Sequence, residues 1–209
     1  MKHLILALTV LLLAACSGGL RSGVPTSQVY ILRATTEADQ EATATGTLGS
    51  VQVARPTAGP GLDSEHIIIV QPDHRMSYYA GSRWSADVPL LVEELTVERL
   101  RASGAWDVVN NSTSNFSSEY YLQITIRRFE AEYASDAAPT VRVVLDCEIG
   151  RRESPALLAS FSVAGDAAAS ANRAGAVVSA FEQAANAALT QLAQKSAAAV
   201  KNPQARSTP

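Results

Sequence analysis

Three histidines and two cysteines are the whole supply, in 209 residues, of the side chains that most often serve as general bases, nucleophiles or soft metal ligands. His3 stands just before an N-terminal apolar run that reads as a removable signal, which leaves His66 and His74. The stretch QPDHRMS sets Asp73 beside His74, and a carboxylate held against an imidazole can orient it as a general base. Adjacent residues of an extended segment point to opposite sides, however, and Pro72 makes a polar turn the simpler expectation. Glu93 and Glu94 stand side by side in a helical pattern and are expected on its solvated side rather than as a catalytic pair. There is no G-x-S-x-G elbow, no Walker A pattern, no H-E-x-x-H and no paired-cysteine motif. The sequence therefore predicts no catalytic residue, no metal-ligand set and no cofactor site.

What the chain does offer is a grouping suited to contact. YYAGSRWSAD places Tyr78, Tyr79, Arg83 and Trp84 just before a helix start, and aromatic residues with an arginine are common anchors of protein interfaces. A core role is the alternative, with Trp84 closing over the first turn of the helix. In the helix itself, Leu90 and Val97 fall opposite the main apolar stripe. A second covered surface, supplied by another part of the chain or by another subunit, would account for them, as would ordinary single exposed apolar side chains.

The N-terminus bears on where such a surface would act. The apolar run over residues 4–15 is about a dozen residues, against the roughly 20 that a helix needs to cross a hydrocarbon core. Lys2 precedes it and Gly and Ser follow, the order of a secretory signal. The run ends Leu13-Ala14-Ala15-Cys16, which resembles the bacterial lipobox. That resemblance implies a signal peptide at 1–15, cleavage before Cys16, a diacylglyceryl group on its sulfur and an acyl chain such as palmitate on its nitrogen. Each buried CH₂ contributes about 0.8 kcal/mol, so several chains hold far more firmly than one. A plain signal peptide with an incidental cysteine is the alternative. Ser17 stands where Gram-negative lipoproteins kept at the inner membrane usually carry Asp, which points to the outer membrane and a periplasmic body. Residues 16–27, rich in Gly, Ser and Pro, read as a flexible tether.

A formal net charge of -3 and a pI near 5.6 argue against nucleic acid as partner. No polybasic strip is present for anionic headgroups, so membrane attachment falls to the lipid. With Cys16 acylated, Cys147 has no partner for an intramolecular disulfide. It shares the parity of Val141, Val143, Leu145 and Ile149 in TVRVVLDCEIG, and is expected as a small buried apolar residue.

Periodicity supplies the elements. SQVYILRA suits a strand covered on both faces, LGSVQVARP a half-buried strand, HIIIVQP a central strand and MSYYAG a short one. SADVPLLVEELTVERLRASG reads as a helix capped by Ser85 or Asp87, with Pro89 in its first turn and Gly104 at its exit. Its core stripe is Val88, Leu91, Val92, Leu95 and Ala102, with Leu100 between the two faces. After the short WDVVNN, three alternating runs, EYYLQITIRRFEAEY, TVRVVLDCEIG and ALLASFSVAG, look like consecutive antiparallel strands with one polar face. An Ala-rich helix closes the chain, its stripe formed by Val177, Val178, Phe181, Ala185, Ala188, Leu189 and Leu192. Residues 201–209 are expected to be disordered. Together these predict a single α/β domain over 28–200, a mixed and largely antiparallel sheet packed by two main helices.

The order of these pieces carries a further resemblance. An early strand with Tyr30 and Leu32, a strand reading IIIV, a Tyr-rich piece, W-S-A-D opening a helix at Trp84, L-x-x-S-G-A-W closing it at Trp106, alternating strands and an Ala-rich last helix resemble the ABC-type transport auxiliary lipoproteins. Trp84, Ala86 and Asp87 are the best individual matches, whereas the Tyr usual before Leu62-Asp63 is missing. The resemblance implies a non-catalytic periplasmic module, anchored in the outer membrane, that serves a lipid transport system crossing the envelope. Its partners would be an MCE-domain protein forming a hydrophobic conduit and an inner-membrane ABC transporter, and a homo-oligomeric ring falls within what it implies. An outer-membrane lipoprotein with a structural or assembly role in envelope integrity is the competing reading.

Overall fold

The computed structural model describes residues 27–34, 47–135, 137–153 and 156–202. The signal expected at 1–15, all but the last residue of the tether, the polar loop after Ala34 and the tail from residue 203 lie outside the described residues. Lys201, expected in the tail, is instead the last residue of the final helix.

The long alternating strand β7 (Tyr120–Glu132) organises everything else. One of its edges pairs along its whole length with β8 (Thr140–Arg151), which in turn pairs with β9 (Leu157–Ala168), all antiparallel as expected. The other edge is shared end to end by three short strands, β2 (Ser50–Val53), β3 (Thr57–Ala58) and β4 (His66–Val70), each parallel to it. Outside these lie β6 (Val108–Asn110) against β2, and β5 (Met76–Trp84) followed by β1 (Gln28–Tyr30) against β4. The result is one nine-stranded mixed sheet in which the long ladders are antiparallel. Two helices, α1 (Val88–Ala102) and α2 (Ala174–Lys201), pack on one face.

On that inner face the period-two pattern is met almost residue for residue. Tyr120, Leu122, Ile124 and Ile126 are buried, as are Val141, Val143, Leu145, Cys147 and Ile149 of the neighbouring strand. A bulge between Ile126 and Arg128 adds one residue, so the buried set of β7 then moves to Phe129 and Ala131. Phe129 meets Phe181 of α2 with ring centroids 5.0 Å apart, and Trp84 stands edge-on to Phe181 at 5.1 Å. This trio fills the space between sheet and helix. The backbones approach closely at Gly165, where a Cβ would lie 2.0 Å from the Ala184 carbonyl oxygen. The small residues Ala184, Ala185 and Ala188 of α2 make that approach possible.

Several expectations are corrected. The strand expected to be covered on both faces is a three-residue edge strand, with Val29 and Ile31 half exposed, because nothing pairs with its outer side among the described residues. Gln52 of β2 is buried, since its amide is engaged by the loop after β6. The short Tyr-rich piece is a nine-residue strand running on to Trp84. In α1, Ala102 is exposed, whereas Val97 and Leu100 are buried within the chain itself. Asp87 is the cap, accepting from the Leu90 amide at 2.9 Å and held by Arg55 at 2.7 Å.

The free edge of β9 is guarded. Gln191 Nε2 donates to the Ala164 carbonyl at 2.7 Å and Lys195 Nζ to the Ser162 carbonyl at 2.8 Å, so two side chains of α2 occupy acceptors that another strand would need.

Candidate functional site

The residues with catalytic potential are not brought together. Asp73 pairs with Arg75, whose Nε donates to Oδ2 at 2.5 Å, and not with His74. A hydrogen bond from the Arg75 backbone amide, reinforced by the guanidinium, holds the Asp73 carboxyl below its usual range. His74 is exposed in the β4–β5 turn with φ 64°, so the polar turn expected there is what forms. Cys147 is fully buried and its thiol is pushed up to about 12, chiefly by burial, which leaves almost no thiolate at neutral pH. Among the described residues no three His, Cys, Asp or Glu side chains gather as a metal-ligand group.

Glu94 is solvated as expected, but Glu93 is not: it is 2% exposed. Its Oε1 accepts from the backbone amide of Ser112 at 2.7 Å, while Oε2 is buried without a hydrogen-bond partner among the described residues. The 111–119 loop, distant in sequence, folds over the helix and takes the carboxylate out of water.

The proposed contact residues separate into two sets. Trp84 is completely buried and Val97 nearly so, which makes both core residues that a partner does not reach. Leu90 is half-buried and Tyr79 half-buried, the latter lining a cleft with Tyr133, and burial pushes both phenols up. Tyr78 and Arg83 lie on the outer face of the sheet, away from the helices. Ile69 is opposite the buried Ala131, so Ile68 and Tyr78 opposite it project the other way. Tyr78 is 49% exposed and stacks on His66 with centroids 4.3 Å apart. Arg83 pairs with Glu65 at 2.5 Å and lies opposite Val29. With Val29, Ile31 and Met76 also half exposed, this edge presents apolar surface beside a charged pair.

A second surface lies at the end of the sheet where β7 begins. A cleft of about 600 Å³ is lined by Gln52, Tyr121, Gly150, Arg152, Ala156 and Leu157 among others. The Arg152 guanidinium rests over the Tyr121 ring at 5.0 Å and donates to Gln52 Oε1, while Gln52 Nε2 donates onward to the Asn111 carbonyl at 3.1 Å. Arg151 rests over Tyr120 at 5.4 Å. Phe116, in the loop held by Glu93, is 80% exposed. An adjoining depression of about 890 Å³ continues across the outer face past Arg127, Asp146 and Ser162. Sequence reasoning missed the cleft; its only local signals were the adjacent arginines of RRESP and the lone Phe in NSTSNFSS.

Comparison with known proteins agrees with this architecture. A crystal structure of a Xanthomonas campestris protein of the DUF330 family superposes with a TM-score of 0.73 at 24% identity, covering 84% of this chain and 98% of that one. A second crystal structure, of an uncharacterized protein, gives a TM-score of 0.60 at 13% identity over 85% and 98% of the two chains. Both likenesses concern the fold. No curated protein matches the chain in sequence. The family described as ABC-type transport auxiliary lipoprotein component matches residues 30–193.

Proposed function

The chain belongs to the ABC-type transport auxiliary lipoprotein family, and from that premise we propose that it is a non-catalytic docking module of a lipid transport system crossing the cell envelope. The observation that carries this is the extent of the match, which takes in nearly the whole sheet, all of α1 and the larger part of α2. The lipobox-like Leu13-Ala14-Ala15-Cys16 supports lipid attachment at Cys16, and Ser17 supports the outer membrane, with the body in the periplasm. Cys147 is buried with its thiol pushed up, and Asp73 pairs with Arg75 rather than with His74, so the two groupings with catalytic promise in the sequence fit a binding role better.

In this reading the partners are an MCE-domain protein and, through it, an inner-membrane ABC transporter. The exposed edge of Tyr78 and Arg83, bordered by Val29, Ile31 and Met76, serves contact between copies of the chain; half-exposed apolar side chains beside an open strand edge favour such pairing. Leu90 is a lesser contact.

Two experiments test the reading. The wild-type protein should fractionate with the outer membrane and co-purify with the MCE-domain protein of the same organism, and Cys16→Ser should release it to the periplasm. Retention of Cys16→Ser in the membrane would end the anchoring part. A lipoprotein that never co-purifies with an MCE-domain protein, and whose loss weakens the envelope without altering lipid transport, would have the structural role instead.

A further inference from the structure

We infer that the cleft between Tyr79 and Tyr133, where α2 begins, binds an uncharged saccharide. The site goes beyond the docking role and does not depend on it.

The cleft, of about 570 Å³, falls within the ordinary range for small-ligand sites. Its floor is the inner face of β4 and β5, where Ser77 stands opposite Ile69 and Tyr79 packs partly against the core. Tyr133 is fixed at both ends: its backbone amide donates to the Val70 carbonyl at 2.9 Å, and its hydroxyl donates to Asn172 Oδ1, just before α2, at 2.7 Å. Gln71 of the β4–β5 turn and Ser135, whose Oγ accepts from the Ala137 amide at 3.3 Å, also line it. A ring held in place beforehand loses little conformational entropy when a ligand arrives.

The chemistry of the lining selects that ligand. In a chain of which 18% is charged, none of the residues lining this cleft is Asp, Glu, Lys, Arg or His. By contrast, the cleft where β7 begins holds Glu148 and Arg152, and the outer depression holds Arg127 and Asp146. An ionic ligand would give up water here with no opposite charge to meet it. A wholly apolar one would strip water from the Gln71 amide and the Ser77 and Tyr79 hydroxyls, which make no hydrogen bond to another described residue. Burial pushes the Tyr79 and Tyr133 phenols up, so both keep their protons across the physiological range.

These conditions call for an uncharged molecule with hydrogen-bonding groups around a compact body and apolar faces for the tyrosine rings. A sugar ring has both, with hydroxyls at its rim and C–H bonds on its faces. A neutral peptide instead carries its polar groups in a line and adds to a strand edge through main-chain bonds. Here the polar groups are side chains from four separate segments that converge on one space.

The test uses the full lipidated chain in lauryldimethylamine oxide, a detergent without sugar, titrated calorimetrically with triacetylchitotriose and with maltotriose. At least one should bind, with the same affinity at low and high salt, since no charge takes part. Tyr79→Phe removes a single hydroxyl and should weaken binding about 5-fold, the worth of one neutral hydrogen bond. Asn172→Ala, which also releases the Tyr133 hydroxyl, should weaken it further, while Arg152→Glu at the other end of the sheet should change nothing. Unchanged thermal melting of Tyr79→Phe shows that its loss is not unfolding. Preference for triacetylchitotriose, with retention of the chain on purified peptidoglycan sacculi, identifies cell-wall glycan as the source; preference for maltotriose identifies an unmodified glucan, and either upholds the site. Binding that collapses in salt, or that is indifferent to both cleft variants, overturns it. If neither sugar binds, the inference fails and the docking role stands. Weakened co-purification of Tyr79→Phe with the MCE-domain protein in that case makes the cleft a protein contact.

Discussion

Glu93 Oε1 accepts a hydrogen bond from the backbone amide of Ser112 at 2.7 Å, joining the middle of α1 to a loop residue 19 positions further along the chain. Glu93 is buried and Ser112 half-buried, so removing the acceptor leaves an amide that is largely shielded from water. Glu93→Ala should lower stability by about 1–3 kcal/mol, the usual cost of a buried unsatisfied donor. Glu93→Gln keeps an acceptor oxygen and should lose less. Urea unfolding gives the two values, and hydrogen exchange at Ser112 should quicken in the alanine variant. Equal stabilities for Glu93→Ala and the wild type would show that the loop holds without the carboxylate.

Trp84 and Tyr78, six residues apart in one strand, should respond to truncation in opposite ways. Trp84 is fully buried against Phe129 and Phe181, with ring centroids at 6.1 and 5.1 Å. Trp84→Ala should cost about 3–5 kcal/mol. Tyr78 stacks on His66 and is half exposed, so Tyr78→Ala should stay within about 1 kcal/mol. Its effect should appear in the association state instead, read by sedimentation. A stable Trp84→Ala protein would mean that the aromatic trio is not central to the core.

That contrast marks how much of the molecule is legible in the sequence. β7, β8 and β9 can be read because one face is dry and the other wet, which writes a period of two directly into the residues. The α2 stripe is equally plain, since all seven residues expected in it are buried. Illegible are the relations set by distant chain. Nothing local says that β2, β3 and β4 share one edge of β7 end to end, that a bulge after Ile126 shifts the buried parity, or that Glu93 is roofed by the 111–119 loop. YYAGSRWSAD reads as one grouping, but the pleat and the glycine bend at Gly81, with φ 63°, send its members to different surroundings. The family order of motifs is readable because it spans the whole chain; the cleft is not, because its lining comes from four separate segments.

Cys147 should be silent to thiol reagents until the protein unfolds. In a Cys16→Ser background, where it is the sole thiol, a disulfide reagent at pH 8 should label native protein only at the rate of global opening and label denatured protein at once. The raised thiol also sets a pH trend. Burial pushes the folded value to about 12 from an ordinary value of 9.0, so the native state holds its proton more tightly than the unfolded chain. This contribution to stability is fully present below pH 9 and is lost as pH rises from there toward 12, because only the unfolded state gains by releasing the proton. Cys147→Ala should be less stable near neutral pH, by roughly the cost of a small cavity, but should show a flatter decline above pH 9. A decline as steep as that of the parent would assign the alkaline loss to other groups.

Gln191 and Lys195 protect an edge rather than support a core, and their removal should show that difference. Gln191 Nε2 and Lys195 Nζ donate to successive outward carbonyls of β9, at Ala164 and Ser162, and Lys195 also lies 5.8 Å from the centre of the Phe161 ring. These are exposed contacts, so the double variant Gln191→Ala, Lys195→Ala should lose little equilibrium stability, about 1 kcal/mol or less. What it uncovers is a twelve-residue strand with free acceptors and without the lysine charge that discourages pairing. Slow aggregation of the double variant under native conditions, with a β-rich infrared signature, is the expected outcome, and restoring lysine alone should suppress most of it. A double variant that stays monodisperse would show that the twist of β9 is protection enough and that the two bonds serve only to seat α2.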